Sequence, residues 1–91
     1  MPFNQAAAQR KIGTLVSARS CFHTIAVLER EGQAAAPATS MAIPQGTPGR
    51  VINALEGGYE EWLVVIRFDL HGQSVLDWFT EEKYHEMLEE Q

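Results

Sequence analysis

Two segments ten residues apart constrain the fold of this chain more than any other feature. In residues 43–52, Pro44 and Pro48 precede two glycines three residues apart, and β-branched residues follow. This composition is typical of a tight turn that leads into a strand. Residues 62–68 form an apolar run long enough for a strand buried on both faces. Together the two segments predict a small β-meander.

The length and the cysteine content restrict the class of protein. Ninety-one residues make one domain, and such a chain buries about 60–65% of its unfolded surface, which leaves little room for an interior active site. The single cysteine, Cys21, excludes an internal disulfide and favours a reducing compartment. No apolar run has the length of a membrane helix or of a signal peptide. We therefore expect a soluble, cytoplasmic protein with no membrane association.

The charge is distributed unevenly along the chain. The net charge is −5, but residues 1–55 carry +3 and residues 56–91 carry −8. The acidic half would repel a phosphate backbone and attract a partner protein with a basic surface, so nucleic acid is not the expected partner. The simpler interpretation, which the distribution favours, is a solvated acidic surface that prevents self-association.

The N-terminal half predicts an arm and two strands. Residues 1–11 are expected to form an N-terminal arm, either frayed or folded as a short helix that Asn4 caps. Residues 14–18 alternate as in a strand. Residues 21–28 have near-helical apolar spacing, but their β-branched content favours a strand. Residues 32–40 have small side chains and predict a mobile loop.

The C-terminal half predicts three neighbouring antiparallel strands followed by a helix. The strands are residues 51–55, 62–70 and 73–78, joined by short turns at 56–59 and at His71 and Gly72. A helix is predicted over residues 80–90, with Thr80 as its N-cap and an apolar stripe of Tyr84, Met87 and Leu88.

The order of these elements carries a resemblance to a known family. The residues that carry it are Gly46, Gly49, Val51, Trp62, Val64, Ile66, Phe68 and residues 75–79. Over residues 13–79 the chain resembles the SH3-like small barrels, including the KOW-type modules. The resemblance implies a mainly β domain over residues 12–91, with about five antiparallel strands and one appended C-terminal helix. Such barrels serve as peptide-binding domains, nucleic-acid modules and accessory subunits, and the acidity of this chain departs from the nucleic-acid-binding members.

Potential metal ligands and nucleophiles lack the spacing that their chemistry requires. Cys21, His23, His71 and His85 could ligate a metal, but they do not form the close pairs of a structural zinc site. Activation of Cys21 by His23 as a nucleophile is weaker still, because strand positions i and i+2 imply no acid–base geometry. We expect a buried, apolar cysteine and no cofactor.

Two carboxylates flank the predicted turn at His71 and Gly72. Asp69 and Asp77 could perform acid–base catalysis if one were buried. The alternative, which the pattern favours, places both on the polar face of a hairpin, paired with Arg67.

The aromatic residues divide between the core and a possible binding surface. Trp62 shares a strand face with Val64, Ile66 and Phe68, which predicts a common core. Peptide grooves of SH3-like barrels are lined by aromatic residues from loops, which makes Tyr59 and Trp78, together with Arg50, the candidate partner-binding residues. Trp78 could instead cover the open end of the barrel beneath the helix.

The sequence therefore predicts a non-catalytic protein–protein interaction or accessory module, as a monomer or a homodimer, and not an enzyme. The first alternative is a nucleic-acid-associated regulator that uses the basic N-terminal half. A small toxin-like hydrolase is the third and least favoured function, because no nucleophile, base and orienting group converge in the sequence.

Overall fold

The computed structural model describes residues 2–29, 37–58 and 61–91. Within these ranges the chain is mainly β, with seven strands and two short helices. In chain order the elements are α1 (Gln5–Lys11), β1 (Leu15–Ala18), β2 (Phe22–Glu29), β3 (Thr39–Ile43), β4 (Pro48–Glu56), β5 (Trp62–Leu70), β6 (Gln73–Phe79), α2 (Glu81–Met87) and β7 (Leu88–Glu90). No helix in the described part of the chain is long and apolar enough to cross a membrane.

The strands form one antiparallel sheet that curls into a half-barrel. Its order is β3-β2-β6-β5-β4-β1-β7, so the predicted meander of β4, β5 and β6 lies at the centre. A register shift between Val51 and Asn53 interrupts the β4–β5 ladder, and such a bulge bends the strand and increases its twist. The sheet contains two more strands than the five that were predicted.

The core lies on the concave, inner face of the sheet. Val64, Ile66 and Phe68 of β5 are fully buried there, as predicted, whereas Trp62 packs against the core but stays partly exposed. The rings of Phe22, Phe68 and Phe79 meet edge to face, with centroids 6.0–6.3 Å apart, in the arrangement that aromatic pairs prefer.

Gly49 has a packing role on this inner face. It is paired with Phe68 across the β4–β5 ladder. A Cβ atom at Gly49 would lie 2.9 Å from Cδ1 of Phe68 and 3.0 Å from Cγ2 of Ile66. The glycine therefore lets the backbone of β4 approach the core side chains.

The N-terminal residues form the capped helix, which was one of the two expectations for this segment. Asn4 Oδ1 accepts a hydrogen bond from the Ala7 amide at 2.8 Å. Phe3 is buried and its ring meets that of Tyr84 at 5.7 Å. The segment therefore packs against the rest of the domain.

The strand predicted over residues 21–28 is confirmed as β2, but part of the loop predicted over 32–40 is a strand. Thr39 and Ser40 begin β3 and pair with Ala26 and Ile25 of β2. Backbone pairing with β2 holds these two small residues, whose side chains gave no signal for a strand. Residues 32–36 of the predicted loop lie outside the described residues.

The helix predicted over residues 80–90 is wrong at its end. Thr80 Oγ1 caps it, accepting from the Lys83 amide at 3.2 Å, but the helix ends at Met87. Leu88 is buried, with an extended backbone, and residues 88–90 pair with β1. If the helix continued, the backbone groups on the outer edge of β1 would have no strand to bond to. Pairing with residues 88–90 satisfies these groups.

A three-residue contact holds this last strand. Glu90 Oε2 accepts hydrogen bonds from Lys11 Nζ at 2.6 Å and from the Tyr84 hydroxyl at 2.7 Å. Both bonds lower the pKa of the Glu90 carboxyl, and the bond from Lys11 has the larger effect. Burial, followed by the bond to Glu90, raises the pKa of Tyr84.

Candidate functional site

One polar cluster lies inside the half-barrel. Asp77, on the inner face of β6, is only 1% exposed. Its Oδ2 accepts a hydrogen bond from Thr24 Oγ1 at 2.8 Å, and its Oδ1 accepts one from the Trp78 amide at 2.8 Å and lies 3.5 Å from Lys83 Nζ. Lys83 Nζ also donates to Thr24 Oγ1 at 3.1 Å and lies 4.4 Å from the centre of the Phe79 ring.

This cluster corrects the prediction for the two aspartates. Asp77 does not lie on a polar face with Asp69 and Arg67, because the alternation of β6 places it beside Val75 and Phe79. Arg67 instead pairs with Glu29 at 3.2 Å. Asp69 is exposed and accepts a hydrogen bond from the Gly72 amide at 3.2 Å. The alternation was the signal that could have revealed a buried aspartate.

The Thr24–Asp77–Lys83 cluster has the geometry of a structural cross-link. A general base that activates Thr24 would have to withdraw its proton, and Asp77 accepts that hydrogen bond. The Lys83 ammonium, however, donates to the same hydroxyl oxygen and reduces its electron density. Every buried side-chain polar atom within the described ranges has a hydrogen-bond partner. The contacts of the cluster connect α2, through Lys83, to Thr24 of β2 and Asp77 of β6.

The predicted partner-binding residues Arg50 and Trp78 lie on the convex, outer face of the sheet. In the β4–β5 ladder Arg50 is directly opposite Arg67. In the β5–β6 ladder Trp78 is directly opposite Val65, two residues before Arg67 on the same face. Tyr59, the third predicted residue, lies outside the described residues.

A shallow groove with a volume of about 450 Å³ lies beside Arg50 and Arg67. It is lined by Leu15, Pro48, Gly49, Arg50, Arg67, Phe68, Asp69, Gly72 and Ser74. Arg50 is exposed and forms no ion pair within residues 2–29, 37–58 and 61–91, whereas Arg67 is held by Glu29. In the described part of the chain, one guanidinium of the pair is therefore left without a carboxylate, which an external anionic group could supply.

Apolar side chains border the two arginines on the same face. Val65 is 5% exposed although it does not belong to the core cluster of the inner face. Trp78 opposite it and Leu76, which is opposite Arg67, are half-buried. We name Arg50, Val65, Arg67, Leu76 and Trp78 the outer-face site.

The cysteine and the histidines do not assemble into a metal site in the described part of the chain. Cys21 is exposed, which corrects the expectation of a buried thiol. His85 lies 3.6 Å from Glu81, one turn away on α2. His71 has a φ of 53° and Gly72 one of 81°; positive values at both central residues are typical of a two-residue hairpin turn. No group of three or more potential ligands is close enough to hold a metal ion among the residues described.

The placement of the site residues depends on register. Alternation alone put Trp78 on the face opposite Asp77, but nothing local in the sequence brought Arg50 beside Arg67. That apposition depends on the hairpin connection, in which the Gly57 amide donates to the Glu61 carbonyl at 2.8 Å, and on the bulge after Val51.

No protein-family model, curated protein or solved structure matches this chain.

Proposed function

We propose that this protein is a non-catalytic protein–protein interaction or accessory module that binds its partner through the outer-face site. The observation that carries the proposal is the cross-strand pair of Arg50 and Arg67, of which only Arg67 has a carboxylate partner in the described structure. Like charges directly opposite each other destabilise a sheet, so a partner carboxylate would relieve an unfavourable contact.

The chemistry of the site favours a partner segment with an acidic group beside an apolar side chain. A guanidinium can bind a carboxylate through two parallel hydrogen bonds. Leu76 and Trp78 supply apolar contact area next to the arginines. Arginine and tryptophan are also the residue types in which binding energy is most often concentrated.

The SH3-like assignment belongs to this proposal. It is supported by the small curled antiparallel sheet and by the central β4–β5–β6 meander, which follows a turn at Gly46 and has Gly49 near the start of β4. Recognition through a sheet face and its bordering loops is compatible with such a barrel.

Two basic residues of the N-terminal half are already bonded within the domain, which leaves fewer charges for the phosphate backbone of a nucleic acid. Lys11 is paired with Glu90, and Arg19 donates to the Leu88 carbonyl at 3.0 Å. The basic partner surface expected from the acidic half stays a prediction, and Glu61, Glu81 and Glu82, which line a second cleft, are the acidic residues suited to it.

The test is partner capture from the native host with the chain as bait, followed by mass spectrometry. Arg50→Glu and Trp78→Ala should each reduce the yield of the captured partner at least about tenfold, which is the effect of losing one important contact. Arg10→Glu on the exposed face of α1 is the matched charge control and should capture as much as the wild type.

Thermal melts accompany the capture, because a loss of binding that reflects unfolding would not be informative. Arg50→Glu alters an exposed side chain and should keep the melting temperature within a few degrees, roughly the effect of an ordinary surface substitution. Equal capture by the wild type, Arg50→Glu and Trp78→Ala would contradict the proposal.

A further inference from the structure

The two edges of the sheet differ in length and charge. The β7 edge has three residues, of which Glu89 and Glu90 are acidic. The β3 edge has five residues, Thr39–Ile43, with no charged side chain and no proline. Native sheets usually protect an exposed edge with charge, proline or a short strand. Among the residues that the structure describes, β7 has such protection, whereas β3 does not.

The outer face beside β3 leaves an apolar side chain uncovered. Ile25 of β2 is 66% exposed, the highest value among the exposed large hydrophobic residues of the described chain. Its cross-strand neighbour on β3 is Ser40, and the next outward position on β3 is Ala42, opposite His23. These small side chains form a low surface beside Ile25, so no bulky group on this face hinders a further strand placed next to β3.

We propose that β3 pairs antiparallel with β3 of a second copy of this chain, with the two-fold axis at Met41. In this register Ser40 of each copy is opposite Ala42 of the other. Pro37 and Pro44 bracket β3 and lack amide protons, so they limit the ladder to this five-residue strand. The pairing is self-complementary and closes after two copies.

Charge favours a second copy of β3 over the other edge of the sheet. Pairing β3 with β7 of a neighbouring copy would bring Glu89 and Glu90 into the contact, and Glu90 is already bonded to Lys11 and Tyr84. Such head-to-tail contacts would also extend into open filaments. An uncharged edge can meet its own copy without desolvating a carboxylate.

The small contact area and the net charge define how the dimer should behave. A pair of five-residue strands falls below the roughly 1,200 Å² that stable complexes bury, so dimerisation should be weak and concentration-dependent. Each copy carries a net charge of −5, and salt screens the repulsion between the two copies. Salt should therefore strengthen the association.

The first experiment is sedimentation equilibrium of the full chain from about 5 μM to 1 mM, a range suited to a weak interface. The wild type should convert from monomer to dimer. Ser40→Lys with Ala42→Lys, and Ser40→Glu with Ala42→Glu, should each weaken dimerisation at least about tenfold, because like charges then face each other. A mixture of the two double variants should form one-to-one dimers.

The matched control carries the same added charge elsewhere. Gln5→Lys with Gln9→Lys alters exposed positions on α1 and should dimerise as the wild type does. A wild type that remains monomeric throughout the range at low and high salt would overturn the proposal. A dimer that both β3 double variants leave unchanged would overturn it as well.

Hydrogen exchange on the unmodified protein keeps the proposal testable if the variants do not fold. The amides of residues 39–43 that point away from β2 should exchange at least about tenfold more slowly at the highest concentration than at the lowest, because the second strand then protects them. Protection that is independent of concentration would overturn the pairing. Because the outer-face site lies on β4, β5 and β6, partner capture and dimerisation can fail independently.

Discussion

At the scale of single residues, Lys83 connects three parts of the inner face. Its ammonium contacts Asp77 and Thr24 and also lies over the Phe79 ring, 4.4 Å from its centre. Asp77 depends on these contacts because it is almost fully buried, and a buried carboxylate without partners is costly. The side chain of Lys83 is 31% exposed, so water compensates part of any loss.

Replacing Lys83 by methionine removes the charge and keeps a long apolar side chain. We expect Lys83→Met to lower the free energy of unfolding by about 1–3 kcal/mol, the penalty for leaving a buried polar group short of a partner. Urea denaturation measures this. Glu82→Gln, at an exposed neighbouring position, is the control and should change stability by less than about 0.5 kcal/mol. An unchanged Lys83→Met midpoint would show that Asp77 does not require the ammonium.

At the scale of secondary structure, β7 depends on contacts made far away along the chain. Leu88 is buried and pairs with Ala18, and Glu90 is held by Lys11 and Tyr84. The bonds from Lys11 and Tyr84 lower the pKa of Glu90 below its ordinary 4.5. A carboxyl with a lowered folded-state pKa stabilises the protein fully above its unfolded pKa, and this contribution disappears as the pH falls through the folded value.

Glu90→Gln should therefore reduce the melting temperature at neutral pH and have progressively less effect below about pH 4.5. Glutamine retains a carbonyl oxygen that can accept from Tyr84, so the loss reports mainly on the charge. Thermal melts of both proteins from about pH 7 to pH 3 test this dependence. Glu89→Gln, the adjacent exposed acid, is the control. A difference between wild type and Glu90→Gln that is equal at both ends of the range would contradict the role of the ionised carboxyl.

The elements that the sequence predicted are those whose signals are local. The bounds of β5 follow from its apolar run, and α1 and α2 begin directly after their N-caps Asn4 and Thr80, which are local signals. β7 was missed because no local residue ends the helix, and its partner β1 lies near the other end of the described chain. Burial of Asp77 was missed although alternation along β6 indicated it, and its bonds to Thr24 and Lys83, which join three separate elements, had no local signal.

At the scale of the whole molecule, one aromatic cluster joins three neighbouring strands of the half-barrel. Phe22 belongs to β2, Phe68 to β5 and Phe79 to β6, and all three rings are in mutual edge-to-face contact. Phe68 is fully buried and lies beneath Gly49. A domain of this size has a total stability of only about 5–15 kcal/mol, so one position in this cluster accounts for a large share of it.

Phe68→Ala should destabilise the protein by about 3–5 kcal/mol through lost burial and the cavity left behind. Chemical denaturation, read by circular dichroism, measures the change. Leu55→Ala alters an apolar residue on the outer face that is 40% exposed and is the control for the loss of side-chain volume alone. An unchanged melt for Phe68→Ala would mean that the inner and outer faces of β5 are reversed.

The pairing of β1 between β4 and β7 has a consequence for folding kinetics. The hairpins β4–β5 and β5–β6 have short connections and can form early, but β1 gains its second partner only when residues 88–90 return to it. Sheets dominated by such distant pairings fold slowly, in about milliseconds to seconds. During that interval, and while the chain is being synthesised, the strand formed by Leu15–Ala18 presents one unpaired side. Closure of this last ladder, rather than formation of the hairpins, therefore determines how long the folding chain is exposed to aggregation.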